Sequence, residues 1–120
     1  MPSSAASDGY KRQVLANTPK PPYYAVIFTS QHTGKEKEEY ERTSAKMVAL
    51  ANKQPGFLGV DSVRDESGKG ITSVYWKDKE SIAAWRNHPV HKKVKKRGRA
   101  IWYENYFLRI AKVEKDYGKI

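Results

Sequence analysis

The side chains best suited to chemistry in this sequence lie close together: Trp85, His88 and His91. His91 follows His88 by three residues, so helical geometry would place both on one face. A neutral imidazole is available near pH 7 as a general base or a nitrogen ligand. Trp85 adds a flat aromatic surface beside them. The competing reading makes His88 an exposed residue at a helix start and His91 a partly buried structural one. Two histidines with no carboxylate to orient them form a weak site. No metal is expected, because His32 is the only further histidine and there is no cysteine. Zinc normally takes three or four protein ligands. The lack of cysteine also excludes disulfides and thiol nucleophiles. Acids are scattered over Glu36–Glu41 and the turns, so no carboxylate pair suggests itself for acid/base work. Gly68-Lys69-Gly70 is too short for a phosphate loop and stands between strands, not before a helix.

Seven bases and no acid fall within residues 86–99: Arg86, Lys92, Lys93, Lys95, Lys96, Arg97 and Arg99. They carry most of the chain's formal charge of +10. Such a run is either an electrostatic footprint for phosphate or carboxylate ligands, or a solvated helix end whose cations complement the macrodipole. At 120 residues the chain has the length of one domain. Its 8 Tyr, 3 Trp and 3 Phe argue against disorder and suffice for a modest core. No apolar run approaches the ~20 residues that span a membrane. The opening MPSSAASDGYKRQ has no hydrophobic segment of the secretory kind. A soluble, cytoplasmic protein without membrane contact is expected.

Periodicity then places the elements. Residues 1–22 are Ser-, Ala- and Pro-rich and read as a flexible arm, leaving 23–118 as the folded domain. YYAVIFTS, Tyr23 to Ser30, is a strand buried on both faces. From Glu36 to about Gln54, Tyr40, Met47, Leu50 and Ala51 recur at helical spacing. Thr33 and Glu36 suit a capping box, and Pro55-Gly56 stops the helix. FLGVDSVR, Phe57 to Arg64, and ITSVYWK, Ile71 to Lys77, form a hairpin across Asp65–Gly70. A second helix covers about Lys79–Asn87, capped by Asp78. Pro89 opens a short third helix that Gly98 ends. Ile101 to Val113 is a long last strand. The order β-α-β-β-α-β is that of a ferredoxin-like α+β fold, with an antiparallel sheet and the helices on one face.

The other face of that sheet should be polar in a soluble monomer. Here neither alternation class is polar. Tyr24, Val26 and Phe28 oppose Tyr23, Ala25 and Ile27. Trp102, Tyr106, Leu108 and Ile110 oppose Ile101, Tyr103, Phe107 and Ala111. An uncovered apolar face needs a partner, and a second copy related by two-fold symmetry is the simplest. Two such sheets face to face would close a dimeric α/β barrel.

The segments PPYYAVIFTS, KMVALANKQPGFLGV, GITSVYWKDKESIAAW and GRAIWYENYFLRIAKVEKDYG together resemble the antibiotic biosynthesis monooxygenase (ABM) domain, most closely its small bacterial members of unassigned activity. The likeness spans about residues 19–118. The QPGFLGV turn and the spacing of Tyr75, Trp76 and Trp85 are its most specific parts. The resemblance implies a homodimeric barrel of ferredoxin-like protomers. It also implies a cavity bordered by the second helix and the segment after it. Family activities include cofactor-independent oxygenation of polycyclic aromatics and haem degradation. The former needs only a pocket that holds an electron-rich phenol and helps remove its proton. His91, Trp85 and His88 are then the catalytic candidates. Tyr75, Tyr103, Tyr106 and Phe28 are the substrate-binding ones, unless these aromatics are simply core.

Haem degraders of the family use an Asn on the first strand, a Trp on the second helix and a more distant His. Only the Trp is matched, by Trp85. The first strand has no Asn, and Lys95 stands where the His would fall. No cofactor is therefore expected, with haem left open as a ligand or substrate through His91. The expected function is a cofactor-independent monooxygenase acting on an aromatic or haem-like small molecule. Two other classes share the fold. A non-enzymatic small-ligand or stress-related protein cannot be separated by sequence. An RNA recognition motif has the same element order, but its base-stacking aromatics would fall at Ile71 and Ser73. Nucleic acid therefore ranks low as a partner.

Overall fold

The computed structural model describes residues 14–120; residues 1–13, most of the expected flexible arm, lie outside them. The elements are β1 (Tyr23–His32), α1 (Lys37–Asn52), β2 (Phe57–Arg64), β3 (Lys69–Trp76), α2 (Lys79–Arg86), α3 (Pro89–Arg97) and β4 (Tyr103–Val113), with a π-helical turn over Gly98–Trp102. The four strands form one sheet in the order β2-β3-β1-β4, every neighbouring pair antiparallel. This is the ferredoxin-like α+β fold. Among the described residues no helix is long and apolar enough to cross a membrane.

Local chemistry explains most boundaries. The Asp65 carboxylate accepts from Ser67 Oγ at 2.6 Å and Lys69 N–H at 3.1 Å, tightening the β2–β3 hairpin around Gly68 (φ 95°). Asp78 caps α2 by accepting from Ser81 N–H at 2.8 Å. Pro89 opens α3, and His88 Nδ1 accepts from Val90 N–H at 3.2 Å as its cap. The Thr33–Glu36 capping box does not form. Glu36 sits in left-handed geometry (φ 51°) with no side-chain cap. Its carboxylate instead meets Arg97 of α3 at 2.7 Å.

Three further expectations are corrected. Strand 4 begins at Tyr103, not Ile101, because the chain leaves α3 through the π-helical turn. Gly98 ends α3 as expected, serving as its C-cap. It keeps helical angles (φ −57°), and a Cβ there would stand 2.8 Å from the Tyr103 ring. The pairing of β1 with β4 shifts between Gln31 and His32, which face Asn105 and Tyr103. That bulge carries Tyr103 to the face of Tyr106, reversing the alternation read from sequence. Finally, β1 is not buried throughout. Tyr23, Ala25, Ser30 and His32 are buried, while Tyr24 and residues 26–29 are half-buried.

The helices lie over Val26, Phe28, Val60, Val74 and Trp76. The opposite face carries Ile27, Val63, Ile71 and Phe107, of which Val63 and Phe107 are 70% and 60% exposed. The described part of the arm crosses one corner of this face. Ala16 N–H donates to Asp61 Oδ1 at 2.8 Å, and Thr18 Oγ1 donates to the Tyr23 hydroxyl at 3.0 Å.

Gly56 ends the α1–β2 turn at φ 84°, and a Cβ there would run into the Ser81 side chain of α2. Its carbonyl accepts from Lys77 N–H at 2.8 Å. Gly56→Ala should lose about 2 kcal/mol or more, from left-handed strain plus the clash. Urea unfolding checks this, and an unchanged midpoint would refute the tight approach.

Candidate functional site

Between the helices and the sheet lies a cavity of about 460 Å³, within the range of small-molecule sites. Its floor is the inner face of the sheet, with Val26, Val60, Val74 and Leu108. Met47 and Ala51 of α1 face Ile82 and Trp85 of α2 across it. The spacing that reads as a helix core stripe in α1 thus lines open space as well as packing.

His91 stands on the first turn of α3 because Pro89 and the His88 cap fix where that helix starts. Its ring stacks on Trp85, centroids 4.4 Å apart and planes within 13°. His91 Nδ1 lies 3.0 Å from the Trp85 carbonyl oxygen. A carbonyl only accepts, so Nδ1 carries a proton and the neutral ring keeps its lone pair on Nε2. Burial, with Lys95 and His88 nearby, pushes its pKa below 6.5 although the carbonyl bond opposes the shift. The orienting group missed in the sequence is thus a backbone carbonyl, not a carboxylate.

The other candidates divide. Trp85, Phe28, Tyr103 and Tyr106 line the cavity with His91. Phe28 meets Tyr103 edge-on at 5.2 Å and Tyr106 at 5.7 Å. His88 does not line the cavity. It caps α3 and touches the Trp85 ring at 5.6 Å. Tyr75, expected among the substrate-binding residues, does not line the cavity either, because β3 turns it to the opposite face. There it packs on Tyr23 at 6.0 Å and donates to Asp61 Oδ2 at 3.0 Å.

Sequence reasoning missed the polar cluster behind Tyr40 and Tyr103, whose Arg64 and His32 lie outside the cavity lining. The Tyr40 hydroxyl of α1 accepts from Arg64 Nη2 at 3.0 Å and from the Tyr103 hydroxyl at 3.1 Å. Arg64 also donates to Ser30 Oγ at 2.8 Å. Burial, then the Tyr40 phenol, raises the Tyr103 pKa far above 10, so Tyr103 stays a neutral donor. His32 packs on Tyr40 at 4.3 Å. His32 Nδ1 accepts from Gly34 N–H at 2.7 Å, which leaves the ring proton on Nε2, an atom with no partner. Burial and the Arg64 charge lower its pKa. Only the position of Tyr40 on the apolar stripe of α1 hinted at this cluster. Nothing in the sequence linked it to Arg64.

Both His32 and His91 bind protons less readily folded than unfolded. Above pH 6.5 both states hold them neutral, so they add no pH dependence there. Below 6.5 the unfolded chain takes up protons first, and stability falls as pH drops toward the folded values. Ring titration by NMR should give both midpoints below 6.5. A midpoint above 6.5 for His91 would refute its desolvated placement.

Residues 23–97 match the family model described as antibiotic biosynthesis monooxygenase. The uncharacterised protein YqjZ of Bacillus subtilis is 50% identical over 102 residues, covering 85% of this chain and 89% of its own. SnoaB, a cofactor-independent oxygenase from Streptomyces nogalater, superposes with a TM-score of 0.70 at 15% identity, over 82% of this chain and all of its own. A Pseudomonas aeruginosa protein gives 0.64 at 19% identity, over 82% and 99%. At such identities the superpositions speak for the fold, while the family match and the 50% relative settle membership. This chain, with its cavity between a ferredoxin-like sheet and three helices, belongs to the antibiotic biosynthesis monooxygenase family.

Proposed function

We propose that the protein is a cofactor-independent monooxygenase that holds an electron-rich aromatic phenol in the cavity and oxidises it with O2. The observation that carries this reading is His91: a cavity-lining imidazole, oriented by a backbone carbonyl, with its unprotonated nitrogen at Nε2. His91 Nε2 takes the phenol proton, and the stacked Trp85 ring holds the imidazole plane. The phenolate is itself the reductant. One oxygen atom of O2 enters the ring carbon, converting phenol to quinone, and the other leaves as water. The apolar floor excludes solvent from the reactive anion. Tyr103 and Tyr106 give the substrate aromatic edges at one end.

The side chains that β1 sends into the cavity, Val26 and Phe28, cannot hydrogen-bond. Of the haem-degrading set this leaves Trp85 alone, which favours the organic aromatic over haem. On the bare sheet face Ile71 and Ser73 occupy the positions where base-stacking aromatics would stand, which favours a small molecule over nucleic acid. That same face, with Ile27, Val63, Ile71 and Phe107, supports pairing with a second copy into a barrel.

Anthrone, whose enol is a polycyclic phenol, serves as reporter. Oxygen uptake with formation of the quinone is expected, and His91→Ala should slow it about 10²–10⁴-fold without unfolding the protein. Because the active form is the neutral ring, kcat/KM should fall as pH drops through the depressed His91 pKa. Anthrone binding without oxygen uptake would make this a ligand-binding protein instead. Uptake indifferent to His91 would sink the assigned base.

Light scattering should give a mass twice 13.7 kDa. Phe107→Glu, which puts a charge on the bare face, should give the monomer. A monomeric unsubstituted protein would sink the pairing.

A further inference from the structure

The basic run of residues 86–99 has a use that the oxygenase reading leaves unexplained. The cavity's charged lining consists of Arg86, Lys95 and Arg99, and no carboxylate lines it. The three cations come from three elements: the last turn of α2, the last turns of α3 and the π-helical turn. Complementing a helix dipole would not require them to converge on one cavity. Lys95 Nζ donates to the Arg86 carbonyl at 3.3 Å, which fixes the ammonium beside the Arg86 backbone. Burial and the charges of Arg86, Arg99 and Lys92 all lower the Lys95 pKa, so the three cations feel one another. The ion pairs among the described residues, Arg97 with Glu36 and Glu39, leave this trio without an acidic partner. Like charges gathered at the edge of a low-dielectric cavity repel one another, and an anion relieves that repulsion.

We propose that the cavity takes a permanently anionic ligand: an aromatic body against the apolar floor, with a carboxylate or like oxyanion held by Arg86, Lys95 and Arg99. This rests on the oxygenase reading and narrows its substrate class to acidic aromatics. The anionic group anchors the ligand beside His91, four residues before Lys95 on the same helix. It thereby places a phenol on the ring system within the cavity while the charge stays at the rim.

The test compares two probes of one aromatic skeleton. 1-Anilinonaphthalene-8-sulfonate carries an oxyanion, and N-phenyl-1-naphthylamine lacks it. Fluorescence titration of the full chain at low salt should show the sulfonate binding about ten-fold or more tightly than the neutral amine. The doubly substituted Arg86→Gln, Arg99→Gln protein should lose that preference and keep its affinity for the neutral amine. Both arginines are exposed, so the fold should survive. Lys93→Gln makes a charge change on α3 outside the cavity lining and should alter neither affinity. Added salt should weaken the sulfonate alone. Equal affinities in the unsubstituted protein would overturn the proposal while leaving the oxygenase reading intact. So would a Lys93→Gln effect as large as that of the double variant. Binding of neither probe would overturn the proposal, while anthrone turnover decides the oxygenase reading separately.

Discussion

Tyr40 joins the layers that enclose the cavity, and the rest of the site depends on that junction. One phenol of α1 accepts from Arg64 at the end of β2 and from Tyr103 at the start of β4. Hydrogen bonds hold a helix at a fixed height over a sheet, where apolar contact alone would pull the two together. Packing pressure favours closing a void of this size, because its lining loses dispersion contacts. The cavity persists because its ends are pinned by other means. Tyr40, Tyr103 and Arg64 fix one end. Trp76, with Phe57 at 5.6 Å and Trp85 at 6.3 Å, fills the other.

The two ends differ in chemistry. Behind the Tyr40 end the phenols are neutral and Arg64 is positive, its guanidinium donating to Tyr40 and Ser30, while the buried His32 Nε2 and the nearby Trp102 Nε1 have no partner. The α3 side holds one basic nitrogen, on His91, beside three cations. Desolvation, with the Lys95 and His88 charges, acts in one direction on His91, keeping it neutral and able to accept a proton near pH 7. A neutral base and a cationic rim suit a substrate that must become more negative before it can react. The carbonyl of Trp85 settles which nitrogen does so, by occupying the other.

Much of the framework is legible in the sequence, because it is made of local rules. Asp78 before Lys79, Pro89 after His88, and Gly56 and Gly68 at tight turns each act within a few residues. The site is less legible. His91, Trp85, Phe28, Tyr103 and Tyr106 line one cavity, yet Tyr103 reaches it only through a bulge that pairwise alternation cannot foresee. Tyr75 looked equivalent to them and lies on the opposite face. Glu36, a good capping residue by position, is drawn away by Arg97, which is 61 residues distant.

The sequence by itself determined the order of strands and helices, the absence of thiol chemistry, the family, and the concentration of base in one segment. Each depends on composition or on neighbours along the chain. Only the tertiary structure decided that Arg86, Lys95 and Arg99 share a rim, that Arg64 and Tyr103 meet at Tyr40, and that a carbonyl orients His91. Those contacts depend on where a π-helical turn and a one-residue bulge set the register of β4, and on the angle at which α3 leaves its cap. A shift of one residue turns a side chain to the other face of a sheet. The chemistry of this site is therefore written in local residues, but its assembly is a property of the packed fold.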